Sequence, residues 1–169
     1  MDFTVIGIDP GINSTGYGLI RFNNLSEFIH IESGTINPKS TNSMEIRLVH
    51  IFSGLSALIE KHRPDIMAVE KVFAGKNINS SIILSYSRAS ALLAAGMHRI
   101  PVREYNPTKV KSYLSGHAFA GKSQVAFIIQ KILRISGQRL KSDASDALAI
   151  AFCGGLEYSK ETVKAGIKL

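Results

Sequence analysis

The sequence predicts a layered α/β domain built on a mixed sheet. Three observations carry that expectation. Three strand-like segments follow one another near the N-terminus, helical and strand-like segments then alternate, and two short apolar runs each end in an acid, Asp9 and Glu70. Layered domains of this kind bury a sheet beneath helices, and their ligands gather at the carboxyl ends of the strands.

Residues 3–9, Phe-Thr-Val-Ile-Gly-Ile-Asp, form an apolar run closed by Pro10-Gly11, the pattern of a buried strand entering a turn. Residues 15–22 and 27–36 read as two more strands joined by the turn-forming Asn23-Asn24, which makes an antiparallel meander. Residues 43–62 show helical spacing, with Ile46, Val49, Leu55 and Leu58 as the apolar stripe and Pro64 just beyond the end. Residues 66–70 are a second buried strand. Residues 79–97 form a helix rich in Ser and Ala, and 101–105 a fifth strand. Asn106 is the N-cap of a further helix with Pro107 at its first position. Helices are predicted at 122–135 and 143–153. The domain is expected to span residues 1–155, followed by a polar, loosely ordered tail over 156–169.

The chain has 169 residues, one cysteine (Cys153) and a formal net charge of +7. A single cysteine excludes an internal disulfide and fits a reducing, cytoplasmic compartment. The N-terminus lacks a signal-peptide pattern, and no apolar run approaches the roughly 20 residues that span a bilayer. Charge is unevenly distributed. Between Lys71 and Ser142 there are twelve bases and one acid, Glu104, a balance of +11 against −4 for the rest. Such a segment either forms a solvated basic face or attracts a polyanion.

Acids that follow four or more apolar residues are costly to bury unless paired or metal-bound. Each of Asp9 and Glu70 alone can be read as a loop start facing water. If their strands are neighbours, the two carboxylates stand side by side and favour a shared proton or a divalent cation. Asp143 and Asp146, in Ser-Asp-Ala-Ser-Asp-Ala-Leu-Ala-Ile-Ala, share a face of a helix's first turn. Asp143 or Ser142 can also serve simply as the N-cap. The residues that follow are apolar on nearly every side, so this helix is expected to be buried with its first turn against the sheet. Four oxygen donors without a Cys or His cluster suit Mg2+ or Mn2+ better than zinc. Two such ions among surrounding bases suit a phosphodiester, because they bridge the phosphate, activate water and stabilise the leaving oxygen.

Ile6-Gly7-Ile8-Asp9-Pro10-Gly11 with Thr15-Gly16-Tyr17-Gly18, Val69-Glu70-Lys71-Val72-Phe73 with Asn77 and Ser80, Lys109-Val110-Lys111, Lys122-Ser123-Gln124-Val125, and Asp143-Ala144-Ser145-Asp146-Ala147-Leu148-Ala149 occur in that order. Together they resemble the RuvC-type Holliday-junction resolvases of the RNase H-like superfamily, over residues 4 to 153. The resemblance implies a five-stranded mixed sheet of order 3-2-1-4-5 flanked by helices on both faces. It implies a Mg2+-dependent endonuclease, with Mn2+ as substitute and two ions per site, that nicks four-way DNA junctions symmetrically in recombination and repair. The products carry 5′-phosphate and 3′-hydroxyl ends.

The resemblance assigns metal ligation to Asp9, Glu70, Asp143 and Asp146, and places Lys111 and Lys122 beside the scissile phosphate. It gives Phe73 a base-stacking role at the junction centre, with Lys76 on the same loop as a DNA contact, and Arg88 a place at an interface or on phosphate. The residues alone also allow Lys111 and Lys122 as surface bases and Phe73 as a loop anchor. The family acts as homodimers through the helix at 79–97, and a branch-migration motor is an implied partner. The family often has glycines where this chain has Ser85 and Ala89, and Gln where it has Lys71. Larger side chains at the first two hold paired helices further apart. The sequence assigns no role to His117.

Three other readings compete. A binding-only relative would have lost acids that are all present here. The sugar-kinase and actin-like ATPases repeat their Gly-x-Asp-x-Gly motif in a second domain, for which there is no room. A related hydrolase of structured RNA differs only in substrate preference. Gly7 and Gly11 lack the Gly-x-Gly-x-x-Gly spacing of a dinucleotide site.

Overall fold

A computed structural model describes residues 2–24, 26–71, 78–116, 121–136 and 140–164. Phe73, Lys76 and His117 lie outside the described residues. The chain runs through β1 (Phe3–Asp9), β2 (Thr15–Phe22), β3 (Phe28–Ile36), α1 (Met44–His62), β4 (Ile66–Glu70), α2 (Ile78–Met97), β5 (Val102–Tyr105), α3 (Pro107–Ser115), α4 (Lys122–Ile132) and α5 (Ser142–Lys164). The strands form one sheet in the order β3-β2-β1-β4-β5. The first three pair antiparallel, and β4 and β5 are added parallel to β1. This is the predicted mixed RNase H-like sheet.

Strand alternation sorts the core into two layers. On one face Val5, Ile20, Phe22, Ile66 and Ala68 pack beneath α3, α4 and α5. On the other, Ile6, Ile8, Leu19, Met67 and Val69 pack beneath α1 and α2. Helix α5 lies close against the sheet because β1 and β2 offer it glycines. A Cβ on Gly7 would lie 2.1 Å from the Ala147 carbonyl oxygen, and one on Gly16 would lie 2.0 Å from that of Asp143. Every residue from Ala147 to Cys153 is buried, which accounts for the apolar run around the whole helix. A fully buried Leu such as Leu148 contributes roughly 1.5–3 kcal/mol.

Three expectations are corrected. In α1 the buried residues are Ile51, Leu55 and Ile59, while Ile46 and Val49 are 53% and 62% exposed. At about 100° per residue, Ile46 stands opposite Leu55, so these residues never shared one stripe. Helix α4 stops at Ile132, and Arg134 just beyond takes a left-handed conformation with φ of 53°. Residues 156–164 are not a loose tail, since α5 continues to Lys164. Its polar composition conceals real anchors. The Tyr158 ring meets Phe3 edge-on at 4.9 Å, Ser159 and Thr162 are buried, and Arg103 pairs with Glu161 at 2.5 Å. Among the described residues, no helix is long and apolar enough to cross a membrane.

Candidate active site

The parallel register sets Ile8 beside Val69, and one further step brings Asp9 beside Glu70 at the carboxyl ends of β1 and β4. Alternation turns both acids toward the α5 face, because each lies two residues beyond a residue packed there, Gly7 and Ala68. They open into a cleft also lined by Pro107, Val110, Lys111, Lys122, Val125, Asp146, Ala149 and Ile150. Burial, followed by the charges of Glu70, Asp146 and Asp143, pushes the Asp9 carboxyl up to about 8. Burial also raises that of Glu70, against the opposing pull of its hydrogen bond with Asp9 and of Lys122 and Lys111.

The other two acids come from the first turn of α5. Gly16, directly opposite Asp9 on β2, is the position against which the Asp143 backbone rests. The turn between β1 and β2 is tied off by Thr15, whose hydroxyl donates to the Gly11 carbonyl at 2.7 Å. That turn presents Ser14, and its hydroxyl donates to the Asp143 carboxylate. The Asp146 carboxylate accepts from Lys122 Nζ at 3.2 Å, across from the N-terminus of α4. Asp146, then Asp9 and Glu70, hold the Lys122 ammonium above its ordinary pKa.

Acids from β1, β4 and α5 thus meet at one end of the sheet, and Lys111 and Lys122 from α3 and α4 wall the same cleft. Among the described residues, no three His, Cys, Asp or Glu side chains already stand as a metal-holding group. Asp143 and Asp146 instead accept from Ser14 and Lys122. Arg88 is engaged elsewhere, ion-paired with Glu104, the one acid of the cationic segment. Exposed Lys71 follows Glu70 and hydrogen-bonds through its backbone to Tyr105 at 2.9 Å.

The RuvC family model, crossover junction endodeoxyribonuclease RuvC, matches residues 5–154. The chain belongs to the RuvC family. A family member from Geobacter sulfurreducens, described as crossover junction endodeoxyribonuclease RuvC, is 40% identical over 150 residues, covering 88% of this chain and 90% of the relative. The structure of T. thermophilus RuvC in complex with Holliday junction substrate superposes with a TM-score of 0.88 at 27% identity, covering 95% of this chain and 97% of that one. The yeast mitochondrial Holliday junction resolvase shares the fold, with a TM-score of 0.59 at 17% identity over 96% of this chain and 86% of that one.

Ser14 belongs to none of the sequence motifs. Its signal is positional. A hydroxyl in the turn that follows an acid-ended strand lies at the acid's end of the sheet, provided the next strand returns antiparallel, as β2 does.

Proposed function

We propose that this RuvC-family chain is an endonuclease that resolves four-way DNA junctions by paired, symmetric nicking. The observation that carries the reading is the meeting of acids from three distant elements in a cleft walled by two lysines. Asp9, Glu70, Asp143 and Asp146 are the groups that would hold divalent ions. The donor set fits, since it is all hard carboxylate oxygen. Asp9, protonated up to about 8 among its acidic neighbours, would also lose that penalty beside a cation. Mg2+, with Mn2+ as substitute and two ions per site, supplies an activated water and charge neutralisation at the phosphate when bound.

The chain's own groups do the rest. Lys122 and Lys111 stabilise charge that develops on the phosphate, and the apolar wall of Val110, Val125 and Ile150 limits water. In-line attack leaves 5′-phosphate and 3′-hydroxyl ends. Phe73 stacking on bases, and Lys76 on the backbone, complete the reading from outside the described residues, with Arg88, on α2, at the interface or on phosphate.

Paired nicking needs two sites, hence a homodimer. Supporting it, α2 exposes Ile78, Ile82, Tyr86, Leu93 and Met97 along one side, together with Ser85 and Ala89. Ile82→Glu should yield a monomer in sedimentation. A branch-migration motor as partner and the cytoplasm as compartment belong to the same reading; failure of the purified motor to co-sediment with the junction-bound protein would remove the former.

The test is cleavage of a four-way junction with and without Mg2+. Asp9→Asn and Asp146→Asn should each lower the rate by roughly a thousandfold or more, as for groups that act as a unit, and leave junction binding intact. Unchanged cleavage in both would remove the site.

A further inference from the structure

Away from the carboxylates, α5 carries a second charged contact. Glu157 Oε1 accepts from the Tyr113 hydroxyl at 2.9 Å and from Lys109 Nζ at 2.6 Å, and the Glu157 side chain is only 18% exposed. Both donors belong to α3, which also carries Lys111. The contact is reinforced by stacking. Lys109 Nζ sits 5.5 Å from the centre of the Tyr105 ring, and Lys160 Nζ lies 5.1 Å from that of Tyr113. Between the two donors, Val110 is buried in the core and Lys111 lines the cleft.

We infer that Glu157 is a positioning residue that fixes α3 on α5 and thereby sets Lys111 against the scissile phosphate. The inference rests on the nuclease reading above. The geometry favours a clamp. One carboxylate holds α3 at two points a helical turn apart, so it resists rolling of α3 about its own axis. Rolling would swing Lys111 out of the cleft and carry Val110 with it, so the clamp and the burial of Val110 oppose the same motion. Glu157 itself lies eleven residues beyond Asp146, roughly 16 Å along α5. Its influence on the phosphate must therefore pass through α3. Because α5 also carries Asp143 and Asp146, the clamp references the lysine and two of the acids to a single rigid helix. Lysines on a separately mobile helix would lose that common frame, and an ångström of misplacement is costly in a preorganised site.

The test is single-turnover cleavage of a saturating four-way junction in Mg2+, with junction affinity measured alongside, for Glu157→Ala, Glu157→Gln, Lys111→Ala and the Glu157→Ala/Lys111→Ala pair. Glu157→Ala should slow cleavage roughly 10- to 100-fold, with affinity changed less than about twofold. In the Lys111→Ala background it should add almost nothing, because the group it positions is gone. Glu157→Gln keeps an acceptor for both donors and should recover most of the rate, and it serves as the folded variant should the alanine change unfold the chain. An unchanged rate, a loss that multiplies fully with Lys111→Ala, or no recovery with Gln overturns the inference. If Lys111→Ala alone cleaves normally, the role assigned to Lys111 fails first and the clamp with it.

Discussion

Gly16 and the Asp143 backbone stand so close that no side chain fits between them, with a Cβ at position 16 placed 2.0 Å from the Asp143 carbonyl oxygen. The obstructing atoms are backbone, so relief requires movement of the first turn of α5. Gly16→Ala should therefore destabilise the protein by about 1–3 kcal/mol and slow cleavage further than the stability loss explains, since Asp143 moves with that turn. Denaturant unfolding and single-turnover cleavage on the same preparation check this. A fully stable, fully active variant would contradict the packing.

Asp9 gives a pH signature to the metal-free protein. Its carboxyl is raised from 3.8 to about 8, so between these values the folded state binds the proton that the unfolded state has released. Stability then falls as pH rises through that window, the reverse of a salt-bridged acid. Melting temperature measured from pH 4 to pH 8 in chelator should decline. Asp9→Asn should flatten the decline, and Mg2+ should offset it at the alkaline end. A wild-type profile that matches Asp9→Asn would refute the burial argument.

Lys122 separates catalysis from stability. Its pair with Asp146 is 75% exposed on the lysine side, and exposed ion pairs contribute about 0–1 kcal/mol. Lys122→Met should thus leave the melting temperature nearly unchanged while cutting the cleavage rate roughly 10²- to 10³-fold, the scale for one lost stabiliser of developing charge. Equal effects on both would make the lysine a structural group.

The C-terminal turns of α5 are structural. Tyr158 meets Phe3 edge-on and lies under Arg103, which itself pairs with Glu161. Tyr158→Ala should cost about 2 kcal/mol, and truncation after Gly155 should cost more. Chemical denaturation measures both. No loss on truncation would restore the loose tail that composition suggested.

Sequence alone sufficed for the succession of the strands along the chain and for their bounds to within a residue, because period and punctuation are local. The apolar run at 66–70 and the one at 3–9 close on acids whatever the rest of the chain does, and the motif order identifies the family. It also determined the wide burial of α5, since Ala147 to Cys153 admits no polar face. Tertiary structure alone decided which way each apolar row faces. Ile46 and Val49 look like core by type, yet the α1 surface pressed on the sheet is the opposite one, a matter of helix rotation that no local rule specifies. It alone converted a polar C-terminal stretch into a packed helix, because the Tyr158 ring packs against Phe3 and Arg103 and the neighbouring Ser159 is buried. It alone set Ser14 on Asp143 and Glu157 on α3, contacts separated by 129 and 44 residues along the chain. Side-chain chemistry can be read one residue at a time, but a distance between two side chains exists only after the elements between them have packed.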